Sequence, residues 1–308
     1  MESFNEPIAI DKITREIIEF WKGEEFDNVV RFPGAQPVSI ELNDIPIIQS
    51  AEYLCCIKYD GERYFLVLRQ YHKKNYTILV NRNMEMFSIP GMHFNQYAYK
   101  KGCIFDGEML DGNVFIIHDA VECIGINTKV KSFSDRWKMC NSVLSTQYSP
   151  STGLEIKLKT FIEMKNFASV FELMKTRTNP NDGIIFYPVN EPIGYKTQMN
   201  FFKWKPPGHH TIDFLTRENS GRCELITWSG GRENVYETMN INVVKSIEDY
   251  KPNCVIEFNT IDSNNKIEFV PVKVRTDKPK GNNLYTVRKT ILNVRENIDK
   301  TKLIEFFE

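Results

Sequence analysis

Two prolines and a glycine in a row, Pro206-Pro207-Gly208, break the chain two-thirds of the way along. The prolines remove two backbone donors and the glycine lets the chain turn, so no helix or central strand runs through. The 308 residues are therefore expected to form two parts, 1–206 and 207–308. That length holds one large domain or two ordinary ones. Hydrophobic residues at 42% and charged residues at 26% make a globular mix, rich enough in apolar side chains to build a core.

On the first side of the break the periodicity is mixed. Ile10, Ile13, Ile17 and Trp21 recur at three- and four-residue steps, which predicts a helix stopped by Gly23. A turn-rich segment from Arg31 to Pro37 follows. From Cys55 to about Val121 the pattern is strand-like, with runs at Tyr64–Leu68, Tyr76–Val80 and Met84–Ile89 and a hairpin tip at Asn81-Arg82-Asn83. Phe167, Val170, Phe171 and Met174 predict a second helix ending before Asn179-Pro180, and Gly183–Val189 a strand. Beyond the break, Glu224–Trp228, Val255–Thr260 and Lys266–Val272 read as strands of a small barrel. Val287, Ile291, Val294 and Ile298 return to helical spacing. The expected class is α+β, with antiparallel sheets and flanking helices ahead of a small β domain.

Several function classes drop out on composition. No apolar run reaches the 18 or so residues that span a bilayer, and the N-terminus lacks the pattern of a signal peptide. A net charge of −1 excludes a bulk nucleic-acid coat, so any such contact must be local. The seven cysteines are scattered without a C-x-x-C pair, the usage of a reducing, intracellular compartment. His72, His93, His209 and His210 lack ligand spacing and read as surface residues.

The string Ile57-Lys58-Tyr59-Asp60-Gly61-Glu62-Arg63 carries the most chemistry. In an extended segment Lys58 and Asp60 share a face, and Gly61 lets the chain turn closely under a ligand. The plain reading of such a pair is an exposed ion pair. The functional reading makes Lys58 a nucleophile, which requires a neutral amine in surroundings that disfavour its charge. Arg63, Lys203 and Lys205 could supply the repelling charge. Further on stand Asp106-Gly107-Glu108, His118-Asp119, Asp182-Gly183, Lys203-Trp204-Lys205 and Arg275-Thr276-Asp277-Lys278. Singly, each has a plain reading: a turn, or a solvated strand edge.

In this order the strings resemble the mRNA capping guanylyltransferases, of the covalent nucleotidyltransferase superfamily that also holds the ATP-dependent DNA and RNA ligases. The superfamily pattern is K-x-D-G, D-G-E, an aromatic-D strand, D-G or E-G, K-x-K and R-x-D-K. The likeness runs from about Arg31 to Asn282. Phe32-Pro33-Gly34-Ala35-Gln36-Pro37, Lys203-Trp204-Lys205-Pro206-Pro207 and Ile212-Asp213-Phe214 point to the capping branch. Ligases commonly carry a glutamate two residues before the lysine, where this chain has Cys56.

The resemblance implies that Lys58 takes GMP from GTP as a lysyl-N-GMP intermediate and passes it to the 5′-diphosphate end of nascent mRNA. It implies a nucleotidyltransferase domain at 1–206 and an OB-fold β-barrel with a terminal helix at 207–308. Lys203 and Lys205 would hold the α-phosphate, and Arg275 and Lys278, with Asp277 between them, the β- and γ-phosphates. Asp60, Gly61, Arg63 and Arg82 would line the nucleotide, the last two on ribose or phosphate. Lys165 matches a lysine near the guanine, its plain alternative being an exposed side chain. His118 stands where the family has an aromatic stacked on the base, and its plain alternative is a satisfied core histidine. Glu108 and Asp182 would place a Mg²⁺ or Mn²⁺ ion.

The six basic residues against one acid between Lys273 and Lys289 suggest phosphate contact, and domain closure on GTP is expected. No phosphatase loop or methyl-donor loop is evident, so a separate RNA triphosphatase is the expected partner. If the source is cellular, the phosphorylated tail of RNA polymerase II and a nuclear location follow; if viral, a cytoplasmic one. No membrane is implied. Two alternatives stay open, an ATP-dependent ligase and a non-catalytic docking module for RNA or polymerase.

Overall fold

The computed structural model describes residues 2–21, 32–89, 93–149, 154–194 and 197–308. Gly23 and Arg31, named above as helix stop and turn start, lie outside the described residues. The chain divides into two compact units. The first comprises Met1–Val38, Ile47–Lys203 and Glu308; the second comprises Ser39–Pro46 and Trp204–Phe307. The change of unit at Lys203/Trp204 falls three residues before the expected boundary at 206, and the assignment of Ser39–Pro46 had no signal in the sequence.

Among the described residues the first unit holds a two-stranded sheet, His93–Phe94 with Tyr148–Ser149, and two larger ones. One runs, neighbour by neighbour, Glu2–Ser3, Met86–Ser88, Lys74–Asn81, Glu62–Tyr71, Cys103–Leu110, Val114–Cys123 and Ile126–Asn127. Its one parallel pairing is Glu155–Leu158 along Val114–Cys123; the other pairings are antiparallel. The other sheet runs Ile162–Glu163, Tyr53–Tyr59, Asn181–Pro188, Thr197–Trp204 and Gln36–Ser39. One apolar cluster joins them, with Cys56, Tyr187 and Phe201 from the second sheet meeting Phe65, Val67 and Ile104 from the first. The expected helices are present at Pro7–Trp21 and Ser169–Thr176.

Of the β-bulges in this framework, two fall at motif residues. On Val114–Cys123, Asp106 faces Asp119 and Gly107 faces Ile117, which leaves His118 as the extra residue. On Asn181–Pro188, Tyr59 faces Asn181 and Lys58 faces Gly183, which leaves Asp182 as the extra one. A bulge re-aims its side chain out of strict alternation. That matters at both positions.

The second unit is a five-stranded antiparallel sheet in the order Arg232–Asn240, Arg222–Ser229, Thr211–Asn219, Val255–Ser263 and Lys266–Val274. Its architecture is consistent with an OB-fold. The helices Ile241–Lys245 and Leu284–Glu296 close its core, Val244, Val287 and Ile291 packing with Ile212, Phe214, Leu225 and Phe258. Among the described residues no helix is long and apolar enough to cross a membrane.

Candidate functional site

Lys58 is the next-to-last residue of Tyr53–Tyr59, and the chain crosses to the other sheet through Asp60 and Gly61. The crossing is tight. A Cβ on Gly61 would sit 2.5 Å from Leu110 Cδ2 and from the Met109 carbonyl, and 2.8 Å from Glu108 Cγ. Glycine is required here by close approach, and it brings the K-x-D-G turn onto the D-G-E strand. The Asp60 amide donates to the Pro180 carbonyl at 3.0 Å, tying the turn to the start of the Asp182 strand.

Because Asp182 is a bulge residue, its carboxylate reaches Lys58 directly. Lys58 Nζ donates to Asp182 Oδ1 at 2.5 Å, with the two side chains 21% and 16% exposed. In such a shielded contact a lysine acting as nucleophile would have a proton acceptor at hand. On the next strand of the same sheet Lys203 is partly exposed, while Trp204 is buried. Lys205 is again partly exposed, as alternation predicts.

Behind the turn lies a charged layer. Arg63 donates through Nε to Asp106 Oδ1 at 2.8 Å and through Nη2 to Oδ2 at 2.5 Å. Its Nη1 donates to the Ala35 carbonyl at 2.7 Å. The guanidinium is thus held by D-G-E and by the Phe32–Pro37 loop. Gly34 permits that approach, since a Cβ there would come within 2.7 Å of Arg63 Nη2. Asp119 makes a two-pronged pair with Arg136, both contacts at 2.8 Å, and Arg136 also donates to the carbonyls of Lys131 and Glu191.

His118 is buried and sits among polar groups. Its Nε2 lies 3.3 Å from Asp106 Oδ1, and its Nδ1 is 3.1 Å from the Tyr187 hydroxyl. Burial, reinforced by the positive Arg63 and Lys159, holds the imidazole well below its ordinary pKa, so it is neutral. The bulge has turned it into this layer, beside Asp106.

The lysine expected near the base lies at the surface. Lys165 lies on an exposed turn, 72% open and ion-paired with Glu163. Lys159, six residues earlier, was not anticipated. It is buried at 1% side-chain exposure, 3.7 Å from Glu108 Oε2 and 5.3 Å from the centre of the Tyr59 ring. Its amide donates to the Ile117 carbonyl at 2.8 Å, extending the parallel pairing that aims it at Glu108. Arg82 stays exposed at the hairpin tip, and its guanidinium leans on the protein, where desolvation and the nearby Arg63 lower its pKa.

Within the second unit a buried carboxylate gathers the R-x-D-K string. Arg275 Nη1 is 3.2 Å from Asp213 Oδ1, and Lys278 Nζ donates to Asp213 Oδ2. Asp277 receives both remaining prongs of Arg275, at 2.8 and 2.7 Å. That hydrogen bonding lowers the Asp277 pKa to about 2. Gly281 lies on the Asp213–Leu215 backbone so closely that a Cβ would meet the Leu215 nitrogen at 2.6 Å.

Residues 9–207 match the family model described as mRNA capping enzyme, catalytic domain. The chain belongs to this family. A capping enzyme from Caenorhabditis elegans is 24% identical over 313 residues, covering 89% of this chain and 48% of its own length. The capping enzyme subunit alpha of Schizosaccharomyces pombe is 22% identical, covering 89% and 79%. This capping-family chain thus spans about half the length of several curated relatives it matches. A mycobacterial DNA ligase D solved with ATP and MES is similar at TM-score 0.45 and 11% identity, over 83% of this chain and 97% of that one.

Proposed function

We propose that the chain is an mRNA guanylyltransferase that moves GMP from GTP to a 5′-diphosphate RNA end by way of Lys58. The observation that carries this reading is the bulge-set contact of Lys58 Nζ with Asp182 Oδ1 at 2.5 Å. In the first step the neutral amine attacks the α-phosphorus of GTP. A P–N bond forms, the P–O bond to the β-phosphate breaks, and pyrophosphate leaves. The proton that Lys58 gives up has a receiver at Asp182. In the second step a terminal β-phosphate oxygen of the RNA attacks the same phosphorus, the P–N bond breaks and Lys58 is restored.

Both steps are in-line displacements, so positioning and charge neutralisation do the catalytic work. Lys203 and Lys205 would hold the α-phosphate, a reading that their alternation about buried Trp204 supports. Arg275 and Lys278 would serve the β- and γ-phosphates by exchanging the Asp213 carboxylate for phosphate oxygens, while Asp277 keeps the Arg275 fork oriented. Asp60, Gly61 and Arg82 would line the approach, Arg63, His118 and Asp106 would hold the layer beneath with Lys159 beside Glu108, and Lys165 would be the lysine near the guanine.

No group of three candidate metal ligands occurs among the described residues, and Glu108 and Asp182 each face a lysine. Two carboxylates suit a Mg²⁺ or Mn²⁺ ion that draws its remaining ligands from phosphates and water. Glu108 and Asp182 would hold it, and it would neutralise the triphosphate. The same reading carries a separate RNA triphosphatase. For a cellular source it adds the phosphorylated RNA polymerase II tail and a nuclear location.

The test is incubation with α-labelled GTP or α-labelled ATP and a divalent ion, followed by denaturing electrophoresis. Label from GTP alone is expected, absent in Lys58→Ala and removed by a chase with 5′-diphosphate RNA. Label from ATP instead would make the protein a ligase, and no label from either would leave a docking module.

A further inference from the structure

We propose that the exposed face of the Leu284–Glu296 helix carries the single-stranded body of the acceptor RNA, with one nucleotide entering a cavity at the helix end. The identity of that RNA as acceptor rests on the guanylyltransferase reading; the binding surface does not.

Tyr285, Arg288, Leu292 and Arg295 are exposed at steps of three, four and three residues, so they form one stripe. Val287 and Ile291 face the core on the other side. Cations stand over aromatic rings at its start. Lys280 Nζ lies 4.5 Å from the centre of the Trp228 ring, and a backbone bridge between Trp228 and Asn283 sets that ring beside the first turn. Lys289 Nζ lies 5.8 Å from the centre of the Tyr285 ring. Aromatic faces interleaved with cations are what a single strand needs, bases stacking while phosphates are neutralised.

The charge agrees. Residues 273–295 hold seven basic side chains and the single acid Asp277, in a chain whose net charge is −1. Two acids, Glu41 and the helix's own last residue Glu296, are engaged in contacts between the helix and the 39–46 segment. Glu41 pairs with Lys289 at 2.5 Å, and Glu296 accepts the Leu42 amide at 3.0 Å.

At its far end the stripe meets a cavity of about 440 Å³ lined by Arg295, His210, Asn264, Asn265, Asn293 and other residues of the same unit. That volume suits a small organic ligand. Asparagine walls offer donors and acceptors together, as base edges require. Asn293 Nδ2 donates to the Ile40 carbonyl at 2.7 Å, which fixes the amide's orientation. Its Oδ1, with Thr260 Oγ1 and Asp262 Oδ1 from the same lining, is buried without a partner among the described residues. A phosphopeptide would use the cations but has no need of the rings or the amide-walled cavity.

The experiment is fluorescence anisotropy of the full chain with a 3′-labelled, 5′-diphosphate single-stranded RNA of about ten nucleotides, titrated across salt. Each base that stacks is worth roughly 5- to 150-fold in affinity, so Tyr285→Ala is expected to weaken binding within that range. The double variant Arg288→Gln, Arg295→Gln should lower the salt slope by about 1.4, at roughly 0.7 per phosphate released. Asn265→Gly, which keeps the left-handed backbone (φ 66°) that Asn265 adopts, should weaken any base preference. Lysyl-GMP formation from GTP should be unchanged in all three. Wild-type affinity and slope in the variants would overturn the proposal. So would variants that lose a phosphopeptide of equal charge yet keep the RNA. Failure of wild type to form lysyl-GMP would instead strike the catalytic reading, with the RNA arm still read.

Discussion

At the scale of single residues, His118 gives the fold a pH signature. The unfolded chain takes up a proton on this imidazole below about pH 6.5, whereas the folded chain keeps it neutral. The unfolded state therefore binds more protons there, and stability falls as pH drops below about 6.5, by up to about 1.4 kcal/mol per unit. The stability difference between wild type and His118→Gln should be flat above pH 7 and change below 6.5; parallel curves would contradict this. Gly61→Ala should cost about 1–3 kcal/mol of unfolding free energy from overpacking against Leu110 and the Met109 carbonyl, read by denaturant titration. The motif lysine, its aspartates and the K-W-K string were legible because their spacing survives in the chain. Lys159 was not: a lysine in Glu155-Ile156-Lys157-Leu158-Lys159 reads as a solvated face, and only the parallel pairing buries it. The bulge that re-aims His118 leaves no mark on residue types.

Among the elements, the Phe133–Gln147 helix explains why sequence periodicity fell short. Its inward positions are Phe133, Arg136, Cys140 and Val143, so a charged residue interrupts the apolar stripe. The arginine is there to bind Asp119, which anchors the helix to the Val114–Cys123 strand, and it also holds the carbonyls of Lys131 and Glu191. Arg136→Met leaves Asp119 charged and buried, and should destabilise the protein by about 3–5 kcal/mol. The double variant Asp119→Asn, Arg136→Met should recover part of that loss in the same thermal unfolding series. The Arg232–Asn240 strand was missed for the opposite reason: it is exposed along most of its length and has no buried alternation to detect. The Asp182 strand was expected from its apolar run, but the bulge that aims its carboxylate at Lys58 depends on pairing with Tyr53–Tyr59.

For the whole molecule, the proline break was legible, while the return of Ser39–Pro46 to the second unit was not. That segment supplies the Ile40 carbonyl to buried Asn293 and Glu41 to Lys289. A fragment 204–308 should therefore melt below one in which 39–46 is fused through a flexible linker, by about 1–3 kcal/mol for the unpaired buried amide; equal melting would contradict the assignment. The central claim concerns one atom, Lys58 Nζ. The most direct measurement is peptide mass spectrometry of the protein after incubation with GTP and Mg²⁺, with the adduct mapped to its residue. GMP on the peptide containing Lys58, and on no other lysine, is the expected result. An adduct on Lys159 or Lys203, with Lys58 unmodified, would contradict the account.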